Sequence, residues 1–299
     1  MTAERAFCAY EAVRHRLPPA SPKRTQMKCA ETLDDIADDY DAFLLDAFGV
    51  LNIGETAIPG VAERIASLRA RGKQVLIVSN AAGHPHAVLD KKYHRLGYSF
   101  DTDDIVTSRA TLMHEIDKKD DFFWGLMASQ SAGLGELDRL NLIYLEDDPG
   151  PYSEVDGFLM IGSAAWTGQR QAHLELALQR KPRPVWVGNP DMVAPREYGF
   201  SIEPGYFAHQ LADRTGITPT FFGKPFENIY SMAFHRLDPG ITRDRIVMVG
   251  DSLHTDILGA QTAGIGSALI SGYGFFAGSD VSDAIGRAGI YPDHIVTRP

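Results

Sequence analysis

Cysteine is nearly absent from this chain, and so are long apolar runs and any surplus of positive charge. Only two cysteines, Cys8 and Cys29, occur in 299 residues, which excludes a disulfide scaffold and favours a reducing, cytoplasmic location. The sequence contains no run of about eighteen apolar residues, so we expect no transmembrane helix. Lysine and arginine number 29 against 39 aspartates and glutamates. The resulting formal charge of −10 makes nucleic acids and anionic membranes unfavourable partners.

Apolar residues are plentiful, at 44% of the sequence, which excludes intrinsic disorder for the bulk of the chain. At one domain per roughly 150 residues, the length predicts two domains or one large one.

Residues 1–26 differ in composition from the rest of the chain, because they carry a basic bias and a cluster of prolines that ends any helix. We expect a loosely ordered N-terminal extension there, helical at most over 3–16. The sequence leaves open whether this extension belongs to the native protein or whether Met27 is the start.

Beyond Met27, short apolar runs alternate with amphipathic segments, which predicts a parallel α/β sheet with helices on both faces. The middle of the chain holds all three tryptophans and predicts a second α/β unit. We therefore expect a doubly wound core domain over 27–111 and 203–299, with a second domain inserted at 112–202. The predicted core strands are 42–45, 74–78, 245–249 and 267–270, with a helix over 59–71. The predicted strands of the insertion are 121–127, 140–144, 155–161 and 184–187, with a helix over 172–180.

Aspartates follow two of the predicted core strands. Asp46 ends the first strand and Asp251 ends a late one, with Asp256 five residues further on. A single aspartate at a strand end is more often a helix cap or a turn residue. Two at one sheet edge, however, lie where open α/β sheets bind ligands, and clustered carboxylates need a compensating cation. Oxygen ligands of this kind suit Mg2+.

Three further residues complete a set that could handle phosphate. Ser79 and Asn80 end the second core strand and supply a hydroxyl and an amide. Lys224 lies between a glycine and a proline, where a lysine by itself is usually a solvated turn residue. Beside an acidic cluster, its charge could neutralise both the carboxylates and a phosphoryl group. Phosphoryl transfer needs these parts, namely a nucleophile, a metal and donors for the equatorial oxygens, and an aspartate can be the nucleophile.

Four motifs occur in a characteristic order along the chain, and Asn189-Pro190-Asp191 forms a short pattern in the predicted insertion. Together they resemble the haloacid dehalogenase (HAD) superfamily, specifically its class IIA, NagD-like hydrolases with a C2-type cap domain. The resemblance covers about residues 30–275. The motifs are Asp46-Ala47-Phe48-Gly49-Val50-Leu51 with Ile58-Pro59-Gly60, then Ser79-Asn80, then Gly223-Lys224-Pro225, and finally Gly250-Asp251-Ser252-Leu253-His254-Thr255-Asp256-Ile257.

The resemblance implies a role for each motif residue and a Mg2+-dependent phosphatase of a small phosphorylated metabolite, of the sugar-phosphate class. Asp46 would be the nucleophile that forms an aspartyl-phosphate, and Lys224 would neutralise the site. The implied Mg2+ ligands are the Asp46 carboxylate, the Phe48 backbone carbonyl and Asp251, supported by Asp256 through water or hydrogen bonds. A homodimer paired through the caps is a further expectation. The implied substrate-binding residues are Ser79, Asn80, Lys224, Asn189 and Asp191.

The sequence departs from the phosphatase pattern at Phe48, where the family carries a second aspartate as general acid and base. Loss of such a group typically costs 10²- to 10⁴-fold in rate. Three interpretations follow: a phosphatase that favours good leaving groups, a dehalogenase-like or other metal-independent hydrolase, and a phosphometabolite-binding protein with little turnover. We favour the first, because the Asp251/Asp256 pair suits a metal and phosphate.

Further candidate site residues are Arg196 in the insertion, His84 and His86. For the two histidines, a plain loop role is the more frequent interpretation.

Overall fold

The structure is a computed structural model that describes residues 2–22, 26–117, 121–196 and 199–299. Within these residues, no helix is long and apolar enough to cross a membrane. Its α-helices are α1 Ala3–Ala12, α2 Val61–Ala70, α3 His86–Arg95, α4 Ser108–Ile116, α5 Gly150–Glu154, α6 Gly168–Arg180, α7 Pro204–Thr215, α8 Glu227–Phe234, α9 Leu258–Ala263 and α10 Val281–Ala288. Its strands are β1 Lys28–Ala30, β2 Ala42–Leu45, β3 Asn52–Ile53, β4 Thr56–Ala57, β5 Gln74–Ser79, β6 Ile105–Thr107, β7 Trp124–Met127, β8 Leu142–Tyr144, β9 Gly157–Met160, β10 Val185–Val187, β11 Val193–Pro195, β12 Phe200–Ile202, β13 Thr220–Phe221, β14 Ile246–Gly250, β15 Gly266–Ile270 and β16 His294–Val296.

The larger sheet has seven parallel strands in the order β1-β16-β15-β14-β2-β5-β6. Strand β2 is wholly buried and sends alternate side chains to opposite faces. Phe43 and Leu45 join one apolar cluster, which includes the inner faces of α2 and α3, whereas Ala42 and Leu44 join another with α8 and α9. Helices on both faces explain why the strand carries no polar residue. The predicted doubly wound α/β fold is therefore confirmed.

The second sheet is also parallel, with five strands in the order β13-β10-β9-β7-β8. It contains all four strands predicted for the insertion, each somewhat shorter than expected. Strand β13 lies beyond residue 202, yet it pairs with β10, Trp186 facing Thr220. The two-domain division stays a proposal, and this pairing argues for placing the end of the inserted domain after Phe221.

Residues 2–22 of the N-terminal segment are packed against the core, so the expectation of a loosely ordered extension was wrong, whereas its helices lie within the expected range 3–16. Four side chains of this segment are buried, at the spacing i, i+1, i+4 and i+7 that forms one face of a helix. They contact α10 and the turn of π-helix at Leu253–Ile257. An ion pair between Arg16 and Asp213, at 2.5 Å, joins the segment to α7. The four buried residues are Ala6, Phe7, Tyr10 and Val13.

Replacing Phe7 by alanine tests whether this packing stabilises the whole molecule. Phe7 is 3% exposed, so we expect Phe7→Ala to lower the free energy of unfolding by about 3 kcal/mol. The matched control on the exposed face of the same helix is Arg5→Ala, which should stay within about 0.5 kcal/mol. Urea unfolding measures both. Equal stability of the two variants would show that α1 is not part of the cooperative unit.

Candidate active site

The carboxyl ends of three adjacent strands meet at one edge of the larger sheet. Asp46 follows β2, Ser79 ends β5, and Asp251 follows β14. These strands lie side by side because the chain leaves β2 toward β5 on one side and later returns to β14 on the other. The three side chains line one cavity of about 440 Å3. The same cavity is lined by Asn80, Asn189 and Asp191, so the predicted core and insertion residues meet there.

Three carboxylates lie close together at this edge of the sheet. Asp46, Asp251 and Asp256 each offer an oxygen, and these atoms all lie within 4.8 Å of one another. Burial raises the pKa of Asp251 well above its ordinary value, and the charges of Asp256 and Asp46 raise it further. Burial also raises the pKa of Asp256 to about 6, although Lys224 opposes this shift. A divalent cation would offset both the burial and the repulsion. The donor set therefore fits a hard metal ion with oxygen ligands.

Lys224 lies behind the cavity wall and is almost fully buried, at 1% exposure. Its Nζ lies 2.7 Å from Asp46 Oδ1 and 2.7 Å from Asp256 Oδ1. Burial alone would lower the pKa of this lysine, but the charges of Asp256 and Asp46 outweigh it and raise the pKa above its ordinary value. Lys224 is therefore a permanent cation that orients both carboxylates.

Asn80 is a structural link rather than a free ligand. Its Nδ2 donates to Asp191 Oδ1 at 2.8 Å and to the Lys224 carbonyl at 2.9 Å. Its Oδ1 accepts from the Lys224 backbone N–H at 2.7 Å. Both polar atoms of the Asn80 side chain already have hydrogen-bond partners. Asn80 would therefore contact a substrate through its backbone.

The insertion residues Asn189 and Asp191 form hydrogen bonds within the cavity wall. Asn189 Oδ1 accepts from the Asp191 N–H at 3.0 Å, and its Nδ2 donates to Glu203 Oε2 at 3.2 Å. Burial raises the pKa of Asp191 to about 8, while the Asn80 hydrogen bond opposes the shift. Both residues line the cavity, but the described hydrogen bonds of their side chains are with each other, Asn80 and Glu203.

Cationic side chains surround the ring of Phe48. Lys92 Nζ lies 4.9 Å from the ring centroid and Arg196 Cζ lies 5.1 Å from it, both within cation–π range. Lys92 pairs with Glu55 at 2.8 Å and Arg196 with Glu203 at 3.0 Å. His84 also lines this part of the cavity, and burial lowers its pKa. The cavity wall at position 48 is thus aromatic and flanked by positive charge.

The Asp251 carboxylate packs closely against the backbone of two glycines. Gly49 and Gly274 have φ angles of +77° and +71°, and a Cβ on either would overlap that carboxylate. The Phe275 N–H donates to Asp251 Oδ2 at 2.7 Å. Left-handed backbone and close approach together explain why both positions need glycine.

Gly49→Ala tests this close approach, with Gly60→Ala as its matched control. Gly60 has a similar φ of +84°, but a Cβ there would meet nothing within 4 Å. We expect Gly60→Ala to cost about 1 kcal/mol from backbone strain. Gly49→Ala should cost about 2 kcal/mol more, because the added methyl displaces Asp251. Urea unfolding gives both values, and an equal loss of stability in the two variants would contradict the described packing.

Tyr10 and Lys92 are among the cavity-lining residues that sequence reasoning missed. The buried spacing within α1 was a usable signal for Tyr10, because it marks one apolar helix face. Lys92 gave no such signal, since a lysine on an amphipathic helix is usually solvated.

Comparisons with known proteins agree with this geometry. Residues 43–132 match the family profile of haloacid dehalogenase-like hydrolases, and residues 221–298 match a HAD-hydrolase-like profile. The 4-nitrophenylphosphatase of Schizosaccharomyces pombe is 26% identical, over 79% of this chain and 85% of that protein. The glycerol-3-phosphate phosphatase of Homo sapiens is 26% identical, over 89% and 91%. The crystal structure of a possible sugar phosphatase from Cytophaga hutchinsonii superposes with a TM-score of 0.77 at 26% identity, over 91% and 98%.

Proposed function

Because the chain belongs to the haloacid dehalogenase superfamily of hydrolases, we propose that it is a phosphatase of small phosphorylated metabolites. One observation carries the proposal, namely that Asp46 lies within one cluster with Lys224, Asp251 and Asp256 at the end of a cavity. That cluster combines a nucleophile, a fixed cation and oxygen ligands for a metal. These are the parts that phosphoryl transfer requires.

In the proposed reaction, a carboxylate oxygen of Asp46 attacks phosphorus in line with the leaving group. The bond from phosphorus to the leaving oxygen breaks, that oxygen departs with the electron pair, and an aspartyl-phosphate remains. Water then attacks the intermediate, releasing inorganic phosphate and the free carboxylate. Lys224 orients Asp46, while the Ser79 hydroxyl and the Asn80 backbone N–H bind phosphoryl oxygens.

We propose Mg2+ as the cofactor, held by Asp46, Asp251 and the Phe48 backbone carbonyl. Asp256 contacts Lys224 and accepts from the Ser252 N–H at 3.1 Å, so it supports the site without needing to touch the ion. When bound, the ion would neutralise charge on the transferring phosphoryl group. The fit rests on the clustered carboxylate oxygens.

Phe48 sets the preferred leaving group in this proposal. An aromatic ring cannot protonate a departing alkoxide, so substrates whose leaving oxygen is already weakly basic, such as acyl and aryl phosphates, should react fastest. Asn189 and Asp191 shape the substrate wall. The sugar-phosphate class remains an analogy with the relatives, and so does a homodimer paired through the inserted domain.

Turnover of p-nitrophenyl phosphate and acetyl phosphate tests the proposal, because both leaving groups need little protonation. We expect Mg2+-dependent hydrolysis that falls to background with EDTA. Asp46→Asn keeps the shape but removes the nucleophile, so it should also fall to background. Arg5→Ala, an exposed residue that does not line the cavity, is the control for purification and should match the wild-type rate.

Two outcomes would overturn the phosphatase assignment. Metal-independent release of halide from haloacids, lost in Asp46→Asn, would favour the dehalogenase-like interpretation that Phe48 suggests. Binding of phosphorylated ligands without turnover of either phosphate would favour a binding protein.

Installing an acid at position 48 tests what Phe48 costs. The carboxylate of Phe48→Asp would lie near Lys92 and Arg196 and could transfer a proton. We expect kcat for glycerol phosphate, whose leaving group is a basic alkoxide, to rise by up to about 100-fold. The rate with acetyl phosphate should change little. Phe48→Asn is the control for the altered volume, and an equal gain in that variant would show that space, not proton transfer, is responsible.

A further inference from the structure

The N-terminal helix α1 lies outside both segments that match the family profiles, yet it reaches the cavity. Tyr10 is 3% exposed and lines the cavity wall. Its hydroxyl oxygen accepts a hydrogen bond from the Met192 N–H at 3.1 Å. Met192 directly follows Asp191, so this bond joins α1 to the insertion wall of the site.

Helix α1 also packs against His254, a residue of the π-helical turn Leu253–Ile257 that is 1% exposed. The Tyr10 ring stacks on the imidazole, with centroids 4.9 Å apart and planes 8° apart. Phe7 meets it edge-on at 5.3 Å. Glu11 Oε1 lies 2.6 Å from His254 Nε2. An ionised carboxylate can only accept, so Nε2 carries the hydrogen and donates to Glu11.

His254 lies within the π-helical turn between two carboxylates of the acidic cluster. The turn spans Leu253–Ile257 and is entirely buried. Asp251 precedes it, and Asp256 belongs to it and contacts Lys224. A short turn with both flanks engaged has little freedom of its own. Holding the imidazole therefore restrains the backbone of the turn that carries Asp256 and that Asp251 precedes.

We propose that Tyr10 and Glu11 are positioning residues of the active site. Glu11 acts through His254 on the Asp251–Asp256 segment, and Tyr10 ties that segment to the inserted domain at Met192. The inference rests on the proposed function, since it assigns the segment to Mg2+. Residues that orient metal-binding side chains in this indirect way commonly contribute 10- to 100-fold to metal affinity.

The affinity for Mg2+ is the direct test, measured on the full chain as the rise in Tm with Mg2+ concentration. A ligand that binds only the folded state stabilises it by RT ln(1 + [L]/Kd), so the rise in Tm with Mg2+ concentration gives Kd without any turnover. We expect Glu11→Ala to raise Kd about tenfold. Glu11→Gln retains an acceptor oxygen for Nε2 and should recover most of the affinity. The matched control is Glu4→Ala on the same helix, whose carboxylate pairs with Arg287 at the surface, and it should stay within twofold.

Tyr10→Phe tests the second contact. It keeps the stack on His254 but removes the acceptor for the Met192 N–H. We expect KM for p-nitrophenyl phosphate to rise about fivefold, the equivalent of one hydrogen bond. Because the stack is retained, the Mg2+ affinity and kcat should stay within twofold.

The proposal is wrong if Glu11→Ala lowers Tm yet leaves the Kd for Mg2+ within twofold of wild type, since α1 would then be purely structural. An unchanged KM in Tyr10→Phe would remove the link to the inserted domain. Absence of any Mg2+-dependent rise in the wild-type Tm would instead overturn the metal assignment of the proposed function, and this inference with it.

Discussion

Among the described residues, a cluster of three carboxylates faces the ammonium group of Lys224, and the rest of the site depends on that imbalance. Asp46, Asp251 and Asp256 are held close enough to repel one another, and burial weakens the solvent screening that would separate surface acids. Lys224 contacts two of the three and leaves Asp251 with a backbone N–H as its described partner. An added cation would reduce the repulsion that remains between these carboxylates.

The surrounding structure holds this unfavourable arrangement in place. Strands β2 and β14 deliver two of the acids, and glycines at 49 and 274 let the backbone approach Asp251. Asn80 links the Lys224 backbone to the Asp191 side chain through hydrogen bonds. Such closed networks lose much of their value when one member is removed.

Part of this account could be predicted from the sequence, because strand-end chemistry leaves a local pattern. Asp46, Ser79 and Asp251 each follow a run of apolar residues, and the parallel sheet brings such ends together. The side-chain partners of Asn80 and Asn189 could not be predicted, since they come from distant parts of the chain. The prolines after residue 17 predict the end of any helix, so the apolar face of α1 that precedes them was not recognised. Strand β13 was missed because two residues are too few to show the alternating pattern of a strand. Its pairing with β10 depends on the folded arrangement of distant segments.

Covalent capture of the intermediate tests the central claim most directly. The enzyme is mixed with acetyl phosphate and Mg2+, quenched in acid within milliseconds, and analysed by peptide mass spectrometry. The account predicts one phosphoryl group per chain, located on Asp46 and absent without Mg2+. Turnover with no modified Asp46 at any quench time, or a phosphoryl group on another residue, would contradict the assignment of Asp46 as the nucleophile.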